Sequence, residues 1–285
     1  SDANIALFED RGFSYESSIP YKALVDCLRR YFLTDEPRVS EDADKIMISK
    51  ISTILGPEAN EVSPYIYKIL NIELTEPQRG KIDYLDGHSL KLQTFLAIST
   101  FFEKIEQRMP IVFIIDDIQW ADPVSLELIN FILPLVKSKR ISFYLSYRSG
   151  DISAIKNFLE NLRKEHSQHL VEIDLINLLP QDSTKLVENL IGKGTNEILK
   201  KYIVEKSGGN PFFIVEIVRN IIESGMLEKE EPVRIEEIQI PGSIEAAVSS
   251  RIDSLSKEAK YLLKIGAVIG RFFSHQLLEE VIKEK

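Results

Sequence analysis

Two adjacent carboxylates close an apolar run in PIVFIIDDIQWADPVSLELI, residues 110 to 129. Ile111 to Ile115 is a continuous β-branched and aromatic run, the pattern of a strand buried on both faces. Asp116 and Asp117 follow directly, so both stand at its carboxyl end. In an open parallel sheet, ligands bind beyond that end. Mg²⁺ takes oxygen ligands and keeps several waters, so one carboxylate can hold it through water. The other can orient an attacking water or accept its proton. The plainer alternative is that one acid caps the loop and the other meets solvent.

Two further stretches carry candidate chemistry. LSYRSGD puts Arg148 at the carboxyl end of the next buried strand. A guanidinium there can reach a terminal phosphate; otherwise it pairs with Asp117 or Asp151. In KSGGNPFFIVEIVRNII, Gly208, Gly209 and Asn210 break a helix and Pro211 begins another. Pro211 could press its ring against a base. Alternatively the stretch is a helix corner with Phe212 and Phe213 in the core. Cys27 is the single cysteine and shares an apolar helical pattern with Leu24 and Leu28, which reads as core. A lone cysteine allows no intrachain disulfide and suits a cytoplasmic location. His88, His166, His169 and His275 show no zinc-ligand spacing.

The elements that must position these residues follow from periodicity. NIALFEDRGF, residues 4 to 13, reads as a short strand running into a turn. IPYKALVDCLRRYF reads as a helix with Leu24, Leu28 and Tyr31 on one face. Ser40, followed by Glu41, Asp42 and Asp44, suits a helix start. Ile46, Ile48, Ile51, Ile54 and Leu55 continue that helix, and Gly56-Pro57 ends it. Further helices are predicted over 60–71 and 89–107, the second with Leu92, Phe95, Leu96, Phe102 and Ile105 on one stripe. Asp122-Pro123 caps a helix ending near Lys137. Strands at 141–147 and 170–175 flank a helix built on ISAIKNFLENLRKEH. Strands alternating with helices at this spacing predict a parallel sheet. After Pro180 only helices are predicted, over 182–191, 195–206, 211–225, 243–255, 256–269 and from His275. EKEEP reads as an exposed turn, and Pro241-Gly242 as a boundary.

Composition narrows the classes. The 285 residues suffice for two or three domains, and the formal net charge is −9. That charge argues against wholesale phosphate-backbone binding. The apolar runs are too short to span a bilayer, and no signal peptide is evident. Lys257, Lys260, Lys264 and Arg271 could support DNA binding, but such runs are mostly solvated faces.

Taken together, IIDDIQWADPVSLELI, SYRSGD, SGGNPFFIVEIVRNIIESGML and IPGSIEAAVSSRIDSLSKEAKYLLKIGAVIG resemble the STAND branch of AAA+-related ATPases. The resemblance is to the segment attached to adenylate/guanylate cyclases, serine/threonine kinases and LuxR-type regulators. It covers most of the chain and is weakest over 34–88. It implies that Asp116 is the Mg²⁺-associated Walker B acid and Asp117 the acid that prepares water. Arg148 would be the sensor arginine, and Pro211 the lid proline that touches adenine. ATP/ADP and Mg²⁺ are the implied cofactors of an intact signalling switch.

A P-loop needs G-x-x-x-x-G-K-[ST], whose backbone N–H groups cradle phosphates. The chain has no such run: Gly80-Lys81 is followed by Ile82, and Gly192-Lys193 by Gly194. The expected fold is therefore an α/β, P-loop-NTPase-like parallel sheet without its P-loop strand over 1–180, with a helical insertion at 34–88. A helical lid over 181–240 and the start of a winged helix over 241–285 follow. Both ends read as cut from a longer protein. The expected partners are the P-loop segment and an effector domain of the parent, with self-association possible through exposed strand edges. This fragment is expected to bind no cofactor and to be inactive in hydrolysis, with no membrane or direct nucleic-acid contact. The alternative is a non-catalytic interaction module on the same scaffold, with Trp120, Phe212 and Phe213 as packing residues.

Overall fold

Three phenylalanines set the register of a small parallel sheet. The computed structural model describes residues 4–33, 43–192, 196–223, 248–249, 251–253, 255–269, 273 and 275–283. Strands β1 (Ala6–Arg11), β2 (Ile111–Asp116) and β3 (Ile141–Leu145) pair in that order, all parallel. Phe8 lies opposite Phe113, and Phe113 opposite Phe143. The rings stack across the strands, with centroids 5.2 and 4.5 Å apart. Phe102 meets this row edge-on, 5.1 Å from Phe8 and 4.9 Å from Phe113. Offset and edge-on pairs of this kind add stability beyond their buried area.

The helices follow the predicted order. α1 (Lys22–Phe32) buries Leu24, Cys27 and Leu28. α2 (Ala43–Leu55) ends where Gly56-Pro57 was expected to end it, and a single 3₁₀ turn leads into α3 (Ala59–Ile69). α4 (Glu76–Ile82) was not expected. Its short, polar sequence has no apolar stripe, and it is held by a capping box between Thr75 and Gln78. α5 (Gly87–Glu106) starts at Asp86, whose carboxylate accepts from the Ser89 amide at 2.7 Å. Its buried stripe is Phe95, Ile98, Phe101, Phe102 and Ile105. Leu92 and Leu96, assigned to that stripe from sequence, are instead 45% and 44% exposed. At about 100° per residue they fall on the far side from Ile98. α6 (Pro123–Ile132) continues as a 3₁₀ turn to Lys137, and α7 (Lys156–Glu165) follows a 3₁₀ turn over Ser149–Ile155.

Two strand expectations are corrected. β2 is buried on one face only: Ile111, Phe113 and Ile115 are inside, while Ile114 is 37% exposed. On the same face Leu7 and Tyr144 are also exposed, so the helices cover one side of the sheet. The predicted 170–175 strand does not form. Residues 170–179 carry no regular structure, and Val171, Ile173 and Leu175 are exposed. A β-branched run becomes a strand only where it pairs with a neighbour, and residues 170–175 pair with none of the three described strands.

The chain divides into two compact units, 1–171 with 272–280 and 172–271 with 281–285. In the second, α8 (Pro180–Ile191), α9 (Glu197–Ser207) and α10 (Pro211–Glu223) enclose Val187, Leu199, Ile203, Ile214, Ile217, Val218 and Ile221. Buried Lys200 pairs with Glu188 at 2.9 Å and also with Glu197. Later helices cover Lys257–Ile269, capped by Ser256, and His275–Lys283. Ser40 to Asp42, the EKEEP turn, the Pro241-Gly242 boundary, Ser243 and Arg271 lie outside the described residues. No helix among the described residues is long and apolar enough to cross a membrane.

The phenylalanine row should dominate the stability of the first unit. Phe113→Ala should cost about 3–5 kcal/mol in denaturant unfolding. Leu92→Ala, on the exposed side of α5, should cost about 0.5 kcal/mol or less.

Candidate functional site

The carboxyl ends of β1, β2 and β3 form one rim, because the register pairs Arg11 with Asp116 and Ile115 with Leu145. β2 ends at Asp116. The chain then turns sharply, with Asp117 in the left-handed region at φ 55°. Ser146 holds this turn with both its backbone and its side chain. Its amide donates to the Ile115 carbonyl at 3.0 Å, and its carbonyl accepts from the Ile118 amide at 2.9 Å. Its hydroxyl accepts from the Asp117 amide at 3.1 Å and donates to Asp116 Oδ1. From the other side, the Gly12 amide donates to the Asp116 carbonyl at 2.8 Å. A Cβ at Gly12 would stand 2.7 Å from the Asp117 carbonyl oxygen, so this close approach requires glycine.

The two acids have different surroundings. The Asp116 side chain is half exposed, and besides Ser146 its ion-pair partner among the described residues is Arg11, with Nε at 3.5 Å. Asp117 is buried and fully engaged. Its Oδ2 accepts from Arg11 Nε at 3.2 Å. Its Oδ1 accepts from Gln119 Nε2 at 3.0 Å and lies 3.4 Å from Arg148 Nε. The structure thus brings Asp116, Asp117 and Arg148 together, and Arg148 makes the ion pair to Asp117 that was the plainer of its two readings. Arg11, Ser146 and Gln119 complete the cluster and were not singled out from sequence. Arg11 ends a strand that was recognised, but its place at this rim depends on β1 lying beside β2, which periodicity does not report.

Mg²⁺ is the metal the resemblance implies. A half-exposed carboxylate beside a serine hydroxyl suits an ion that keeps most of its waters and completes its shell with phosphate oxygens. Asp117 is less suited to direct ligation, since guanidinium and amide donors take both its oxygens. No group of three or more His, Cys, Asp or Glu among the described residues is placed to hold a metal.

Asp122 ties the acid loop to the rest of the unit. It is buried and caps α6, accepting from the Ser125 amide at 2.9 Å and the Ser125 hydroxyl at 2.5 Å. It also accepts from the Tyr21 and Lys22 amides at 3.1 and 3.2 Å, so one carboxylate caps the starts of both α6 and α1. Burial, together with the Asp122 charge, raises the Tyr21 phenol above its ordinary range. Asp10, on the covered face of β1, is raised to about 7, first by burial and then by the Asp26 charge. Burial also pushes the Cys27 thiol well up, which leaves it an inert core residue.

Pro211 belongs to the second unit. It opens α10 beneath a corner where Gly208 and Gly209 have φ of 56° and 78°. The Gly209 carbonyl accepts from the Leu178 amide at 2.8 Å, and Asn210 Oδ1 caps α10 through the Phe212 amide at 2.9 Å. Phe212 is 40% exposed, which corrects its placement in the core; Phe213 is half-buried. At the first turn of α10 the chain has just left the glycine corner, so Phe212 lies ahead of the buried stripe that begins at Ile214. Compared with protein-family models, with curated proteins and with solved structures, the chain matches none.

Asp122→Ala strips four donors of their acceptor and should lower stability by about 2–4 kcal/mol, with Asp122→Asn less damaging, in chemical unfolding. Asp10 gives a pH test. The fold favours its protonated form, so the unfolded chain releases that proton first, and stability falls as pH rises from about 4 to 7. Asp10→Asn should flatten that slope and stabilise the chain at pH 8 by about 2–4 kcal/mol, at about 1.4 kcal/mol per pKa unit.

Proposed function

We propose that the chain carries the acid, sensor and lid elements of a nucleotide-dependent ATPase switch of the STAND type. The observation that carries this reading is the convergence of Asp116, Asp117 and Arg148 at the carboxyl rim of neighbouring parallel strands. Asp116 would hold Mg²⁺ through water, and Arg148 would sense the terminal phosphate. Asp117 would act on the attacking water beside the terminal phosphate. Pro211, at the glycine corner of the helical second unit, would contact adenine. In this reading 1–180 is the P-loop-NTPase-like domain, 181–240 the lid and 241–285 the start of a winged helix.

The sheet itself supports the reading. Among the described residues β3 has one partner, and the Leu7, Ile114 and Tyr144 face is exposed, although parallel sheets are ordinarily covered on both sides. In the family this chain resembles, the P-loop strand and its helix would fill such a place. The chain has no G-x-x-x-x-G-K-[ST] run, so the phosphate cradle would come from another segment. Several charge-assisted hydrogen bonds of about 1.5–3 kcal/mol each are then missing, so the 285 residues alone should hydrolyse little or no ATP.

The same exposed edge and apolar face favour a second reading, a non-catalytic module that binds a protein partner or a second copy there. Expression of the chain extended by the coding sequence immediately before Ser1 separates the two. The switch reading expects a G-x-x-x-x-G-K-[ST] run in that extension and Mg²⁺-dependent ATP binding at least about tenfold weaker in Asp116→Asn. An extension without the run, or one that binds neither ATP nor ADP, would favour the interaction module. Turnover by the 285 residues alone, lost in Asp117→Asn, would contradict the expected inactivity.

A further inference from the structure

We infer that Arg11 and Arg148 form a paired-guanidinium site for a phosphoryl group, with Asp117 as their common anchor. This rests on the reading of the rim as a phosphate site and adds to it a second arginine from a third strand. The arginines leave β1 and follow β3, the strands on either side of β2, so they straddle Asp117. Each meets that carboxylate most closely through Nε, Arg11 at 3.2 Å and Arg148 at 3.4 Å. A guanidinium has five N–H donors, so each arginine has terminal N–H groups not used in these hydrogen bonds that can serve a ligand. No hydrogen bond from an Nη group of either residue is found among the described residues. Both side chains are open to solvent, at 46% and 66%, whereas the anchor is buried.

That contrast distinguishes the pair from ordinary surface arginines. A free arginine loses rotamer freedom when it grips an anion, which weakens binding. Here a buried carboxylate, itself fixed by Gln119 at 3.0 Å, holds Arg11 by a hydrogen bond and Arg148 by an ion pair before any ligand arrives. Two forks presented side by side suit the several oxygens of a phosphoryl group.

Charge sets a further condition. Two arginines and two aspartates balance, and half-exposed Asp116 stands 3.5 Å from Arg11 Nε. A bare anion would meet the Asp116 charge. A divalent cation on Asp116 removes that repulsion, so the ligand class is a magnesium–polyphosphate, with the cation and the anion bound together.

Calorimetric titration of the 285-residue chain with inorganic pyrophosphate, with and without Mg²⁺, tests this. Binding should require Mg²⁺. Arg11→Gln and Arg148→Gln should each weaken it about tenfold, the loss of one charge-assisted fork, and the double variant more. Arg79→Gln, on α4, should change nothing, and near-ultraviolet circular dichroism should show every variant folded. Mg²⁺-ATP should compete with pyrophosphate and adenosine should not. The inference is overturned if the wild-type chain shows no binding at millimolar pyrophosphate, or if Arg11→Gln stays within about twofold of it. It is equally overturned if Arg11→Gln only tightens Mg²⁺ binding, which would make Arg11 a plug on the acids. Should Arg11→Gln be silent while the extended chain binds ATP through Asp116 and Arg148, this inference alone fails. Should pyrophosphate binding depend on both arginines while the extended chain binds no nucleotide, the anion site stands and the ATPase reading falls.

Discussion

The row of Phe8, Phe113 and Phe143 is the constraint on which the first unit depends. Side chains alternate along a strand, so a slip of one residue would send all three rings to the open face and bring Leu7, Ile114 and Tyr144 under the helices. Stacking across three strands, closed edge-on by Phe102, selects one register. That register decides where each strand ends. Arg11, Asp116 and the Ser146 turn meet at one rim because the aromatic row, several residues earlier, allows no other alignment.

At the rim the organising group is Asp117. A buried carboxylate is tolerated only when paired and hydrogen-bonded, and here two guanidiniums and one amide supply the donors. The arrangement is electrically complete without a ligand. A bound phosphate and metal would therefore add to the outward donors of the cluster rather than enter an empty charged hole. Asp122 does comparable work for the backbone, gathering the starts of two helices that lie about a hundred residues apart in sequence.

Periodicity made most of the elements legible. The run at 111–115 formed a strand, that at 141–147 formed one over its first five residues, and the helices predicted near 182, 195 and 211 formed within a few residues of their expected bounds. Punctuation at Gly56-Pro57, Asp122-Pro123 and Asn210-Pro211 was read correctly because each acts through local backbone chemistry. What periodicity does not report is set by partners. VEIDLI has strand composition but joins no described ladder, and β2 has the composition of a doubly buried strand but packs on one side. Arg11 carries no signal of its own in the sequence, since its neighbour across the sheet comes from a hundred residues later in the chain.

The left-handed backbone at Asp117 restricts which residues that position can hold. Most side chains with a Cβ are penalised there; glycine is free of the penalty, and asparagine and aspartate are the ones that tolerate it best. Of those three, glycine offers no acceptor, and asparagine lacks the charge that balances two flanking guanidiniums. Conformation and electrostatics thus act as separate filters, and aspartate is the residue that passes both.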